Sequence, residues 1–271
     1  MIRLKPIAIT LTLSGCTFAA HAELKPLGDQ AMGSITGQAG VTIELETQLN
    51  IGQVRYTDEG SLAVNDIFIG GANRNDMFPE LGFAIPNTAS DSLDNIKINI
   101  DLADDGDAVV QVLPIYGSPV DFAIRTGQWN LEANDGSGDS TTLMDNLSVE
   151  GIFGSLTATV DTATDKLNLD TRFAIDDLDV DIPFAAIGIR DMQITGAGYD
   201  DNPNVVSVFT HANLDIYKAP NAAGVDSLAV DVNQFDADMH IGSLLVGGTS
   251  IGSIGLDNLS IRNTQMRIYG H

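Results

Sequence analysis

From Val41 onward the chain alternates between apolar and polar residues. In VTIELETQLNI, Val41, Ile43 and Leu45 fall on one side of an extended backbone and Thr42, Glu44 and Glu46 on the other, which is the two-residue period of a strand with one wet face. A helix would scatter these residues around its axis. The same period runs through IKINIDL (Ile96, Ile98, Ile100, Leu102), LTATVD with LNLDTRFAI, LDVDIPF, VVSVFTHANLDIY and LAVDVNQFDADMHIGSLLVGG. Turn-forming clusters separate these runs, among them Asp104-Asp105-Gly106-Asp107, the stretch from Asn134 to Asp139, and Tyr199 to Pro203. No long amphipathic helical run intervenes, so crossover βαβ units are not expected. The predicted class is mainly β, an elongated twisted antiparallel sheet or sandwich. A β-solenoid is the alternative, since IGSLLVGGTSIGSIGLDNLSI has short Gly/Ser-punctuated coils.

Two local patterns modify this picture. In LGDQAMGSITGQAG, Asp29 can cap a short N-terminal helical turn that carries Met32 and Ile35 inward and ends at Gly37. A faint repeat, apolar-Asp-Asn/Asp-Leu/Ile-x-apolar, occurs at Leu93 to Ile98, Met144 to Val149, Ile175 to Val180 and Leu256 to Ile261. Its spacing is irregular, which argues against a strict solenoid and for recurrent turn-into-strand chemistry.

The first residues read as an export signal. Arg3 and Lys5 precede the apolar run Pro6 to Leu13, and Ala20-His21-Ala22 fits a signal-peptidase site with the cut after Ala22. Leu13-Ser14-Gly15-Cys16 resembles a lipobox, so lipidation of Cys16 is the alternative ending, with a lipid anchor in place of a free chain. No apolar run reaches the roughly 20 residues of a membrane-spanning helix. The expected layout is a signal peptide over 1–22, a docking or cap segment over 23–40 and a β-rich domain over 41–271.

Composition limits the chemistry. The formal net charge is −24, and loss of Arg3 and Lys5 with the leader deepens it by two. Such a chain repels nucleic acid and anionic headgroups. One cysteine allows no internal disulfide. Only 6% of residues are aromatic and 27 are glycine, a composition of thin aliphatic layers and many turns. The histidines His21, His211, His240 and His271 form no metal-binding spacing, and there is no nucleophile elbow, P-loop or dinucleotide fingerprint. Trp129 is the single tryptophan, a poor sugar platform for paired carboxylates. No enzyme activity and no organic cofactor are expected. The remaining site candidate is calcium, which takes six to eight oxygen ligands from flexible acidic turns. Its candidate ligands are Asp101, Asp104, Asp105 and Asp107 in one run and Asp135 and Asp139 in another, neither of which matches an EF-hand loop.

Residues 22 to 46, AELKPLGDQAMGSITGQAGVTIELE, followed by IGQVRYTDEGSLAVNDIFIGG at 51 to 71, resemble the start of a proteobacterial family of exported pilus-system proteins of the Fil type. Met32, Ile35, Thr36, Gly37, Gln38 and Gly40 carry the match. The resemblance implies a Gram-negative cell-surface or outer-membrane location, fibre assembly, and other surface subunits or further copies of the chain as partners. It carries over no catalytic residues. The resulting expectation is an exported structural or adhesive protein that assembles through exposed sheet edges, with Met32, Ile35, Gly37 and Gly40 in the assembling segment. The alternative is a periplasmic or outer-membrane protein that binds lipid or another hydrophobic ligand on a continuous apolar face.

Overall fold

The computed structural model describes residues 40–84 and 88–270. The chain divides into two units, Met1–Gly37 and Gln38–His271, and the described residues all belong to the second. The leader, Cys16, the cut after Ala22, the helical turn, and Met32, Ile35 and Gly37 lie outside the described residues.

Among the described residues, thirteen strands form a single sheet in which every pairing is antiparallel. They are β1 (Val41–Thr47), β2 (Leu49–Thr57), β3 (Gly60–Gly70), β4 (Leu93–Leu102), β5 (Ala108–Pro114), β6 (Val120–Thr126), β7 (Trp129–Ala133), β8 (Ser140–Asp161), β9 (Lys166–Ile182), β10 (Ile187–Thr195), β11 (Thr210–Pro220), β12 (Asp226–Val246) and β13 (Thr249–Ile268). The mainly β, antiparallel class read from the alternation is the class observed. Among the described residues there is no parallel coil, so the sheet form of that expectation holds.

The long strands make a spine. β8 pairs β9 along one edge, and its other edge serves β5, β6 and β7 in succession. β9 pairs β11 and β10 in the same way, β12 pairs both, and β13 closes the far side against β12. On the near side β4 carries β1, and β3 carries β2. The outer edges of β1, β2 and β13 have no strand partner among the described residues.

The Asp/Asn motif sits inside strands, not in the turns before them. Asn95, Asn146 and Asn258 adopt left-handed backbone, with φ of 60°, 53° and 53°, and each lies where the register shifts so that two residues face one. These are β-bulges. Asn and Asp tolerate the conformation because their short polar side chains bond locally. At 175 to 180 the register also slips, between Glu150 and Gly151 of the partner strand. The motif puts apolar residues at i, i+3 and i+5. A bulge absorbs the extra residue, so all three stay on one face of the sheet. Asp66, Asp191 and Asn263 are also left-handed within strands, and VNDIFI and IRDMQI show the same spacing. Gly242 faces Asp191, whose Cβ would lie 2.8 Å from any Cβ added there, so glycine is required opposite that bulge.

The buried core is small. Residues 71–84, with the single-turn helix α1 (Met77–Glu80), and the segment 196–209 fold over Ala123, Ile152 and Ala174. Met77, Phe78, Leu81 and Val208 fill the gap, and Phe83 stacks edge-on against Phe209 with ring centroids 6.4 Å apart. The stretch VVSVF, expected in a strand, belongs to this cap, and β11 begins only at Thr210. Asp238, 1% exposed, ties cap to sheet, accepting from the backbone N–H of Asp200 and of Asn258 at 3.2 and 2.7 Å.

Candidate functional site

Charge and apolar side chains are sorted onto opposite faces. Reading across from β1, Val41 faces Ile100, then Val110, Ala158, Leu169, Leu214 and Val232 in turn. One row over run Ile43, Ile98, Val112 and Leu156. In the other half Ile69, Ile124, Val149 and Leu178 form one row, and Ile175, Ile194, Met239 and Leu256 another. Backbone contacts between the described strands run mainly between ladder neighbours, and the mid-sheet members of this aliphatic face, such as Leu156, Ala158 and Leu169, are half-buried rather than buried. Its members stand open at both ends: Val41 is 56% exposed, Leu102 70%, Leu256 47% and Ile268 54%. A monomer's largest apolar patch is ordinarily a few hundred Å², and larger ones mark interaction sites.

The opposite face is polar and cross-linked. Lys166 pairs with Asp215 at 3.2 Å and lies over the Tyr217 ring, and Arg267 pairs with Asp231 at 2.7 Å. His211 Nε2 is 2.9 Å from Asp170. Burial works against the charges of Asp170 and Asp231, but His211 and Asn213 for the first and Arg267 and Tyr217 for the second outweigh it, so both carboxyls lie below their usual range.

A second ionic group borders the cap. Arg74 reaches Asp176 at 2.8 Å, Asp76 at 2.9 Å and Glu150 at 3.3 Å, while Arg125 holds Glu150 at 2.6 Å. Beside it, oxygens of Asp177, Asp179 and Asp191 lie within 4.8 Å of one another. Burial first, then the charges of Asp179, Asp191, Glu150 and Asp176, push the Asp177 carboxyl up to about 6. Its Oδ1 is shielded from solvent and accepts no hydrogen bond. Oxygen donors of this kind suit a hard cation. Asp177 and Asp179 alternate visibly in DDLDVD, but Asp191 joins them only because β10 pairs β9.

The six acidic residues picked from the sequence are placed elsewhere. Asp101 is next to last in β4, and Asp104, Asp105 and Asp107 lie in the β4–β5 turn, where Asp105 accepts from the Asp107 N–H and Asp107 accepts from Thr162. Asp135 and Asp139 belong to the β7–β8 turn, where bonds from Ser137 hold the Asp135 carboxyl below its usual range. The carboxylates of Asp105, Asp107 and Asp135 accept from donors of these and adjoining turns, and neither run gathers three ligand oxygens at one point among the described residues. Gly40 immediately precedes β1, and a Cβ there would collide with the Asp101 carboxylate.

What sequence reasoning missed is the continuity of the aliphatic face. Each strand's alternation was visible, whereas the phase between strands is set by bulges and register.

Residues 1–104 are similar to a family of unknown function, DUF6160, a match that spans β1 to β4 and the α1 cap segment. No curated protein and no solved structure matches the chain.

Proposed function

We propose that the protein is an exported structural or adhesive component of the cell surface, of the pilus or fibre kind, that assembles by pairing its sheet edges with other subunits or copies of itself. The observation that carries this reading is β13. It is 20 residues long, flanked among the described residues by β12 on one side only, and exposed at almost every position. Such an edge presents unpaired N–H and C=O groups that another extended segment can complete. β1 and β2 offer two shorter edges on the far side of the sheet, so one molecule can pair in both directions. The segment Glu23 to Gly40, which leads directly into β1, is the proposed docking element.

Two measurements test the reading. Intact mass of the exported product should begin at Glu23, and a product kept in the cytosol with Met1 in place would sink the export step; a lipidated Cys16 would replace the free form by the anchored one. Deleting Glu23 to Gly40 should leave a folded chain that no longer forms higher oligomers in light scattering. Unchanged assembly would remove the docking role.

The aliphatic face favours a second reading, the binding of a lipid or other hydrophobic ligand. It ranks below the first because the concavities among the described residues are lined with acidic side chains, including Glu44, Glu46 and Asp94 in one and Asp58, Glu59 and Asp139 in another.

A further inference from the structure

Across β1, β4, β5, β8, β9, β11, β12 and β13, one face of the sheet carries aliphatic rows and no charge except the Lys218–Asp226 pair at its rim. We propose that this face is covered by the same face of a second copy of the chain, related by a twofold axis. The two sheets would then stack as the layers of a sandwich, about 10 Å apart. This goes beyond edge assembly and does not depend on it.

The extent of the face sets the scale. With strands about 4.8 Å apart and about 3.3 Å per residue along each, it covers on the order of 2,000 Å² per copy. Pairing two such faces would bury about 4,000 Å², within the range of obligate homodimers, whose interfaces are also the more apolar ones.

The occupant follows from composition and charge. After a cut at Ala22, the chain outside the described residues keeps Leu24, Leu27, Met32, Ile35 and Ile85 as its large apolar groups, too few to cover these rows. A phospholipid would need basic groups at the rim for its phosphate. Lys218 is instead held by Asp226 at 3.0 Å. Arg55, Arg125, Arg190, Arg262 and Arg267 all pair with carboxylates of the opposite face. A second copy meets neither obstacle. Stacking also turns both acidic faces outward, which keeps the like charge of two chains bearing −24 each as far apart as two sheets allow.

Sedimentation of the full exported chain at micromolar concentration tests the pairing. The smallest species expected has twice the mass of the chain. Leu156→Glu, at the centre of the face, should weaken association at least tenfold and give the single-chain mass. Gln111→Lys, one residue from Val112 but on the polar face, should leave the dimer intact. Far-UV circular dichroism checks folding, and Ala158→Glu, which removes less apolar bulk, takes the place of Leu156→Glu should that variant not fold. A monomeric wild type overturns the proposal, as does a dimer that a folded Leu156→Glu or Ala158→Glu chain retains. So does a monomer that carries acyl chains by mass spectrometry, which would make lipid the occupant. A monomer that dimerises only after Glu23 to Gly40 is deleted also overturns it, since the chain would then be covering its own face. An open-ended oligomer series insensitive to these substitutions would support edge assembly and overturn face pairing, whereas growth in steps of two chains that Leu156→Glu reduces to steps of one would support face pairing.

Discussion

Asp177 on one hand and Asp170 and Asp231 on the other set opposite pH dependences within one protein. The Asp177 carboxyl is raised to about 6 by burial and by Asp179, Asp191 and Glu150. It protonates more readily when folded than when unfolded, so its contribution to stability is full below the unfolded value near 4 and is lost as pH rises through about 6. Asp170 and Asp231 are shifted down. Their contribution is present above the unfolded value and is lost as pH falls through their folded values. Stability should therefore peak on the acid side of neutrality. Asp177→Asn should raise the melting temperature at pH 7 by about 2–4 °C and remove the decline between pH 4 and 6, leaving the acid limb unchanged. Thermal melts across pH 3 to 8 check this, and an unaltered decline would show that the crowding around Asp177 is relieved in solution.

At the scale of the element, the bulges keep long strands in phase. β13 carries left-handed Asn258 and Asn263, and Leu256 and Leu259 both belong to the aliphatic rows because two residues, Asp257 and Asn258, lie opposite Asp238 alone. Deleting Asn258 would remove the extra residue and restore plain alternation, so Leu259 and Ile261 would stay opposite Ala237 and Phe235 on the aliphatic face, while the bond that Asp238 accepts from the Asn258 N–H would be lost. Inserting an alanine between Leu259 and Ser260, where the ladder has no bulge to absorb it, should instead turn every side chain from Ser260 to the next bulge onto the other face. The insertion should release the C-terminal half of β13 and leave β8 and β9 protected, which hydrogen exchange can resolve strand by strand. Retained protection from Ser260 to Ile268 would mean that register slides to compensate. The bulges also bend and twist an otherwise long open edge, one of the ways natural sheets limit unspecific pairing. An assembling edge that is also bulged would accept only a partner with matching irregularity.

At the scale of the whole molecule, charge and apolar surface act against each other. A net charge of −24 repels itself, and the repulsion is strongest on the polar face, where most of the carboxylates lie. Sodium chloride raised from about 0.02 to about 0.5 M shortens the screening length from roughly 20 Å to under 5 Å. Melting temperature should rise by several degrees, because relief of net repulsion outweighs weakening of exposed pairs such as Lys218–Asp226. A fall would mean that the Lys166–Asp215 and Arg267–Asp231 ladder dominates. Salt should also strengthen association between copies, since no charge pair is buried when the aliphatic faces meet.

Strand identity was written in the alternation of residues such as Val41, Ile43 and Leu45, because side-chain direction in an extended backbone depends only on position parity. The antiparallel class followed from the absence of any helical run to carry a crossover. Even the bulges left a trace, as the i, i+3, i+5 spacing of Leu256, Leu259 and Ile261, although that spacing alone does not separate a bulge from a turn. Tertiary structure decided the rest. Whether Asp191 meets Asp177, and whether the aliphatic rows of eight strands coincide on one face, depends on register between segments distant along the chain. Register is settled by the sum of many weak cross-strand contacts, so no local pattern contains it.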